Sequence, residues 1–214
     1  MTTDDTEGSE IPLSAKESLD LIDRQQAEMD RDFSGFVVTL NAMWAVLWFV
    51  AFAAFHVAGN GWPGSWYSYG VAAVIMGVAI LAGVVVSTVL GVRSGRGRRG
   101  PSMVSGALYG WTWTVSYAAL VAINLSIMGR GLPDDAVPSL WIGSMMLLAG
   151  ALSMAGGAMF RDIGQYVLGI WLLLVGIACV LVGVDYQALA IAFGGLVGFG
   201  MRAVFARRGL RVAA

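Results

Sequence analysis

"GVRSGRGRRG", residues 91–100, sets Arg93, Arg96, Arg98 and Arg99 between two long apolar runs of a chain that holds only thirteen Lys and Arg in 214 residues. Such a cluster reads either as a patch for nucleic acid or as a determinant of membrane threading, and its flanks decide between the two. Crossing a hydrocarbon core of about 30 Å takes roughly 20 apolar residues in a helix, because lipid offers no partner to an unpaired backbone group. Six segments reach that length, over approximately 35–58, 67–92, 102–127, 139–160, 163–184 and 186–205. Cytoplasmic flanks retain Lys and Arg, whereas acidic residues contribute little to orientation. Assigning the connections to alternate sides leaves twelve basic residues on one side and Arg130 alone on the other. The arginine stretch is therefore predicted to be a cytoplasmic loop that fixes topology, together with Arg207 and Arg208 of the tail. The expected fold class is all-α: a polytopic protein of the inner (plasma) membrane with six transmembrane helices and both termini in the cytoplasm. A loop this short at a membrane surface argues against nucleic acid and leaves membrane lipids, through anionic headgroups, as its natural contact.

Composition agrees with that reading. Hydrophobic residues make up 57% and charged residues 13%, against about half and about a quarter in soluble domains. Ten of the fourteen acidic residues precede Ser34, so the remainder is almost free of carboxylates. Four regions follow: a disordered acidic tail over 1–12, a cytoplasmic amphipathic helix over 13–33, a six-helix transmembrane domain over 34–205 and a basic cytoplasmic tail over 206–214. The polar, acidic stretch ahead of the first apolar run is unlike a cleaved leader and predicts that this run is retained. Trp62, Trp66, Tyr67 and Tyr69 gather on the outer side, with Trp141 near the start of the fourth segment, as an interfacial aromatic belt requires.

The amphipathic region carries a pattern of its own. In "PLSAKESLD", Ser14 precedes Glu17 by three residues, the spacing of a capping box. After it Ala15, Leu19, Ile22, Gln26, Met29, Phe33 and Phe36 recur at alternating steps of four and three, a heptad seam of about three repeats. The segment is net acidic, which disfavours adsorption to an anionic leaflet. Leu19, Ile22, Gln26 and Met29 are thus the candidate docking residues for protein: the chain's own bundle, a second copy, or another chain.

Packing within lipid rests on close approach rather than on a hydrophobic drive. The third apolar segment has a small residue at every fourth position: Ser102, Gly106, Gly110, Thr114, Ala118, Ala122 and Ser126. This ribbon, Gly106 to Ala118 above all, predicts a central third helix. Shorter ribbons stand in the second segment (Ala79, Gly83, Ser87, Gly91), the fourth (Ala149, Ser153, Gly157) and the sixth (Gly194, Gly195, Gly198). The first segment, rich in Trp and Phe, is predicted to be peripheral.

Ionisable groups at membrane depth usually carry function, yet none stands at the centre of a segment. Asp162, Asp185 and Asp134 or Asp135 fall at segment starts, where a carboxylate caps free N–H groups; Gln165, three residues after Asp162, fits that reading. His56 is the single histidine and has no Cys or carboxylate at ligand spacing, so neither a metal site nor bis-His haem ligation is expected. Cys179 lies in an apolar run and reads as a small buried hydrophobe. Thr112, Ser116, Tyr117 and Asn124 either line a polar path or bond across helices as glue. Ser116 and Ser153 have no histidine at comparable depth and no H-E-x-x-H or aspartate pair occurs, so the chain is expected not to be an enzyme and to need no cofactor.

The stretches "SAKESLDLIDRQQAEM", "YGWTWTVSYA", "MAGGAMFRD" and "YVLGIWLLLVG" together resemble a family of six-helix integral membrane proteins of actinobacteria that are loosely labelled transporters or permeases. The resemblance spans most of the chain and brings no catalytic or binding residues with it. It adds a lineage and no mechanism; the first functional expectation is a permease-like transport component dependent on a partner subunit such as an ATPase, which fits the lack of embedded charges for ion coupling. Six helices with both ends inside and an amphipathic lead segment are also similar to export-type ATP-binding-cassette permeases. The loop from Arg93 to Gly100 departs from that pattern, being short and Gly-rich where such permeases present a coupling helix. The alternative is a non-catalytic scaffold or sensor that docks a regulator through the heptad segment.

Overall fold

The computed structural model describes residues 14–59, 68–95 and 101–212, without the side chains of 29, 30, 32, 95, 101–103 and 209–212. The acidic tail, Arg96, Arg98, Arg99, the aromatic residues Trp62, Trp66 and Tyr67, and the Met29 side chain lie outside the described residues. Six helices make up the fold: α1 (Ala15–Gly59), α2 (Tyr69–Gly95), α3 (Pro101–Met128), α4 (Ala136–Met159), α5 (Ile163–Val182) and α6 (Val184–Val212). All six are long and apolar enough to cross a membrane. No strand occurs among the described residues.

α1 differs from the expected pair of elements, because the amphipathic segment and the first apolar segment form one uninterrupted helix of 45 residues. Its start is built as the sequence predicts. The Ser14 N–H and Oγ–H both donate to Glu17 Oε2, at 2.9 and 2.8 Å, and the Glu17 N–H returns a bond to Ser14 Oγ at 3.3 Å. Nothing between Ser34 and Val37 breaks the helix, since Gly35 is tolerated where residues on both sides propagate the ladder.

Neighbouring helices follow the order α2–α1–α6–α5–α4–α3, with α1 on α6 and α4 on α5 making the most extensive contacts. The pairing reverses two expectations. α1 is not peripheral: it packs on both α2 and α6, turning Trp44 to one and Trp48 to the other. α3 is not central: it packs on α4 alone to any extent, and Gly106, Gly110, Thr114 and Ala118 face outward, with no atom within 4 Å of a Cβ placed at either glycine. The reason is complementarity. A glycine notch needs a knob, and α4 offers notches, not knobs, to α3: a Cβ at Gly156 would strike the Tyr109 ring. α3 therefore presents its aromatic face, where Tyr109, Trp113 and Tyr117 form an edge-to-face pair and then a stacked pair.

The shorter ribbons do the packing instead. Trp44 covers Gly83, Trp48 covers Gly195, and Val175 and Trp171 fill the spaces at Gly194 and Gly198. Between α4 and α5 two glycines meet backbone to backbone, so that a Cβ on Gly169 would stand 2.6 Å from the Gly150 carbonyl oxygen. Met146, Leu172, Cys179 and Ile191 are fully buried in the core that α4, α5 and α6 share. The α4–α5 connection is a Schellman turn: Asp162 N–H donates to Gly157 O at 2.8 Å and Arg161 N–H to Ala158 O at 3.4 Å. Arg161, at φ 55°, holds the left-handed position normally given to glycine, at a cost of roughly 1–2 kcal/mol.

Two measurements check this architecture. Gly169→Ala is expected to overpack the α4–α5 crossing by about 1–3 kcal/mol, lowering the melting temperature in detergent by about 2–10 °C; Gly110→Ala is expected not to lower it. The capping bonds from Ser14 hold the Glu17 carboxyl below its ordinary value of 4.5. A depressed folded pKa means that the stabilisation is complete above 4.5 and is lost as pH falls through the lower folded value. Hydrogen-exchange protection of the first turn of α1 is therefore expected to hold from neutral pH down to that range and to collapse below it, while protection of α5 stays constant.

Candidate functional site

The candidate docking stripe lies on the part of α1 that precedes the bundle. Burial of α1 begins at Val37, Asn41 and Ala45, where the helix meets α6 and α2. Before that point Leu19 and Ile22 are 62% and 48% exposed, and Gln26 is exposed as well. Among the described residues, no part of the bundle covers Leu19, Ile22 or Gln26. At 1.5 Å per residue the free part of α1 extends roughly 25–30 Å. Because it continues into a helix clamped on two sides, its orientation is fixed by the bundle.

The candidate polar path resolves into separate contacts. Asn124, almost fully buried, donates from Nδ2 to Ser144 Oγ on α4 at 2.9 Å, and Ser144 Oγ donates in turn to Leu140 O at 2.6 Å. Tyr117 Oη donates to Met145 O at 3.2 Å, and Tyr109 Oη to Leu152 O at 2.7 Å. These side chains share the α4-facing side of α3. Thr112 lies on another side, exposed, and bonds Leu108 O of its own helix at 2.9 Å; Ser116 is half-buried. At 100° per residue, Thr112 and Ser116 stand well round the helix from Tyr117 and Asn124. The structure joins two of the four to α4 as interhelical bonds and leaves the other two apart from them.

Three buried polar contacts escape sequence reasoning. Asp162 caps α5 as expected, Oδ1 accepting from the Gln165 N–H at 3.0 Å. Its other oxygen, Oδ2, accepts from Arg202 of α6 at 2.5 Å, and both side chains are mostly buried. Gly164 makes room for that guanidinium, since a Cβ there would lie 2.8 Å from its central carbon. Gln187, 1% exposed, donates from Nε2 to Ser139 Oγ at 2.7 Å and ties the start of α6 to α4. The Trp171 indole N–H donates to Gly194 O at 2.8 Å across the α5–α6 interface. The capping expectation holds less well elsewhere: Asp135 occupies the N-cap position of α4 without a side-chain cap bond, and Asp185 falls inside the first turn of α6.

Of the arginines predicted to fix topology, Arg93 is exposed at the end of α2 and Arg207 and Arg208 are exposed near the end of α6. His56 is half-buried near the end of α1, and Cys179 is buried. Among the described residues no three His, Cys, Asp or Glu side chains converge to hold a metal ion. No family model, curated protein or solved structure matches the chain.

The Asp162–Arg202 pair is a charged contact that fastens the start of α5 to α6, and removing one partner strands the other in a poorly solvated site. Asp162→Asn is expected to cost about 3 kcal/mol, read as a lower midpoint of unfolding in mixed micelles. In the double variant Asp162→Asn with Arg202→Leu, most of that loss is expected to be recovered; a fully additive loss would mean that the two side chains act independently.

Proposed function

We propose that the chain is a multi-pass subunit of the plasma membrane that recruits a protein partner through the free half of α1, acting as a scaffold or sensor without catalysis of its own. The observation that carries this reading is the heptad stripe, with Leu19 and Ile22 uncovered on a helix whose direction is fixed by the bundle. A stiff, pre-formed helix loses little conformational entropy on docking, which favours recognition by an amphipathic groove or a complementary helix. Gln26, as the single polar member of the seam, would set register against the partner at some expense in stability. The distribution of basic residues supports an arrangement with both termini, the 91–100 loop and the α4–α5 turn in the cytoplasm, which puts the stripe where cytoplasmic proteins reach it.

A second reading, a partner-dependent transport component, draws on a different observation. α2 and α3 each lean chiefly on a single helix, and α3 leaves its small-residue face open. An arc of six helices with two lightly held ends suits a chain completed by other subunits in the membrane. In that case the cytoplasmic partner would be an ATPase supplying energy.

Isolation of the tagged chain in native-lipid discs, followed by mass spectrometry, separates the readings. A stoichiometric regulatory or membrane protein supports the scaffold, and a stoichiometric ATPase supports transport. Leu19→Asp with Ile22→Asp is expected to release the partner while leaving the bundle's melting unchanged, because neither residue is buried; undiminished retention would remove the stripe from the account. Single cysteines at Gly95 and Gly61, with Cys179 replaced, are expected to react oppositely with an impermeant thiol reagent in intact cells, Gly61 labelled and Gly95 protected.

A further inference from the structure

The turn between α4 and α5 carries a feature that neither helix packing nor partner docking uses. A groove of about 340 Å³ opens there, lined by Gly157, Ala158, Arg161, Ile163 and Tyr166. Its walls are almost wholly apolar, and Arg161 is the one charged residue that lines it. The groove is shaped by the close meeting of the two helices, for a Cβ on Gly157 would stand 2.8 Å from the Tyr166 Cα.

Among the described residues, the charge on Arg161 has no counter-ion. The neighbouring carboxylate, Asp162, is spent twice over, with one oxygen on the α5 amide and the other on Arg202. Arg161 is exposed, and its side chain forms no hydrogen bond or ion pair among the described residues. It does so from a left-handed backbone position, φ 55°, which a glycine would hold without strain. A residue kept at a strained position needs a reason in its side chain. Ile163, 79% exposed, together with Val167 and Ile170, continues the apolar surface of the groove along α5. Arg207 and Arg208 add positive charge at the end of α6, the end of that helix that Arg202 ties to the turn.

We propose that this groove holds one anionic phospholipid, its phosphate on the Arg161 guanidinium and one acyl chain along Ala158, Ile163 and Tyr166. An arginine fork matches phosphate oxygens in a paired geometry, and an apolar trough leading away from it fits the chain that every phospholipid carries and a soluble phosphate lacks. Anionic lipids concentrate in the cytoplasmic leaflet, on the side where the basic residues put this turn. The inference rests on the helices lying in a bilayer but not on partner docking, so its test contains no protein partner and its failure leaves the docking reading standing.

The test is native mass spectrometry of the full chain in mild detergent, titrated with phosphatidylglycerol or phosphatidylcholine of identical acyl chains. One phosphatidylglycerol is expected to bind about tenfold more tightly than phosphatidylcholine, because the choline cation of the latter sits beside the same phosphate and repels the Arg161 guanidinium, whereas glycerol is neutral. Arg161→Gly, which relieves the backbone and so leaves the turn intact, is expected to reduce that preference to parity, whereas Arg130→Gly leaves it unchanged. Ile163→Asn is expected to weaken both lipids. Glycerol phosphate at millimolar concentration is expected not to displace the bound lipid; displacement would make this a site for a soluble anion and overturn the lipid assignment. Equal retention of phosphatidylglycerol by wild type and Arg161→Gly would overturn the site itself.

Discussion

Among helices this apolar, contact between two side-chain surfaces replaces contact with lipid tails that are equally greasy, so association depends on how closely the surfaces fit. The architecture follows from that constraint. Four interfaces pair a large side chain with a missing one: Trp44 with Gly83, Trp48 with Gly195, Trp171 with Gly198 and Tyr109 with Gly156. Where both helices offer glycine, as at Gly150 and Gly169, the backbones themselves touch. Aromatic rings add directional contacts to this fit, among them Trp48 against Phe199 and Phe49 against Phe193, each edge-to-face at 5.3 Å. A small-residue ribbon without a facing knob, the case of Gly106 and Gly110, has nothing to hold.

Polar groups follow the same economy of position. Several buried donors of this apolar bundle find acceptors across helix pairs that the glycine notches have already brought together. The Trp171 indole reaches the Gly194 carbonyl because no side chain stands between them. Asn124 and Tyr117 reach α4 because the aromatic face of α3 turns them inward. The Asp162–Arg202 pair belongs to this pattern as well, with Gly164 leaving room for the guanidinium. Such bonds add specificity to an interface that packing alone makes only moderately selective.

The continuity of α1 links the apolar part of the helix to the exposed stripe that carries Leu19 and Ile22. A hinge at Ser34 or Gly35 would let the amphipathic segment fold back onto the bundle or wander, whereas the unbroken helix carries the exposed Leu19 and Ile22 outward. Any partner that grips this segment also grips a helix wedged between α2 and α6, so partner and bundle become mechanically coupled.

The six long apolar helices, the capping box of Ser14 and Glu17 and the N-cap role of Asp162 were legible in the sequence. All are local: they depend on the period of the helix, the reach of a side chain over one turn and the length of an apolar run. What the tertiary structure alone decided is which faces meet. The longest ribbon, on α3, lies bare while three shorter ones pack, and the Trp-rich first helix sits inside the arc rather than at its edge. The pairing of Asp162 with Arg202 across forty residues, and of Gln187 with Ser139 across forty-eight, belongs to the same class. A glycine in a sequence marks a place where something could come close; only the partner surface, assembled from distant residues, supplies the knob that fills it.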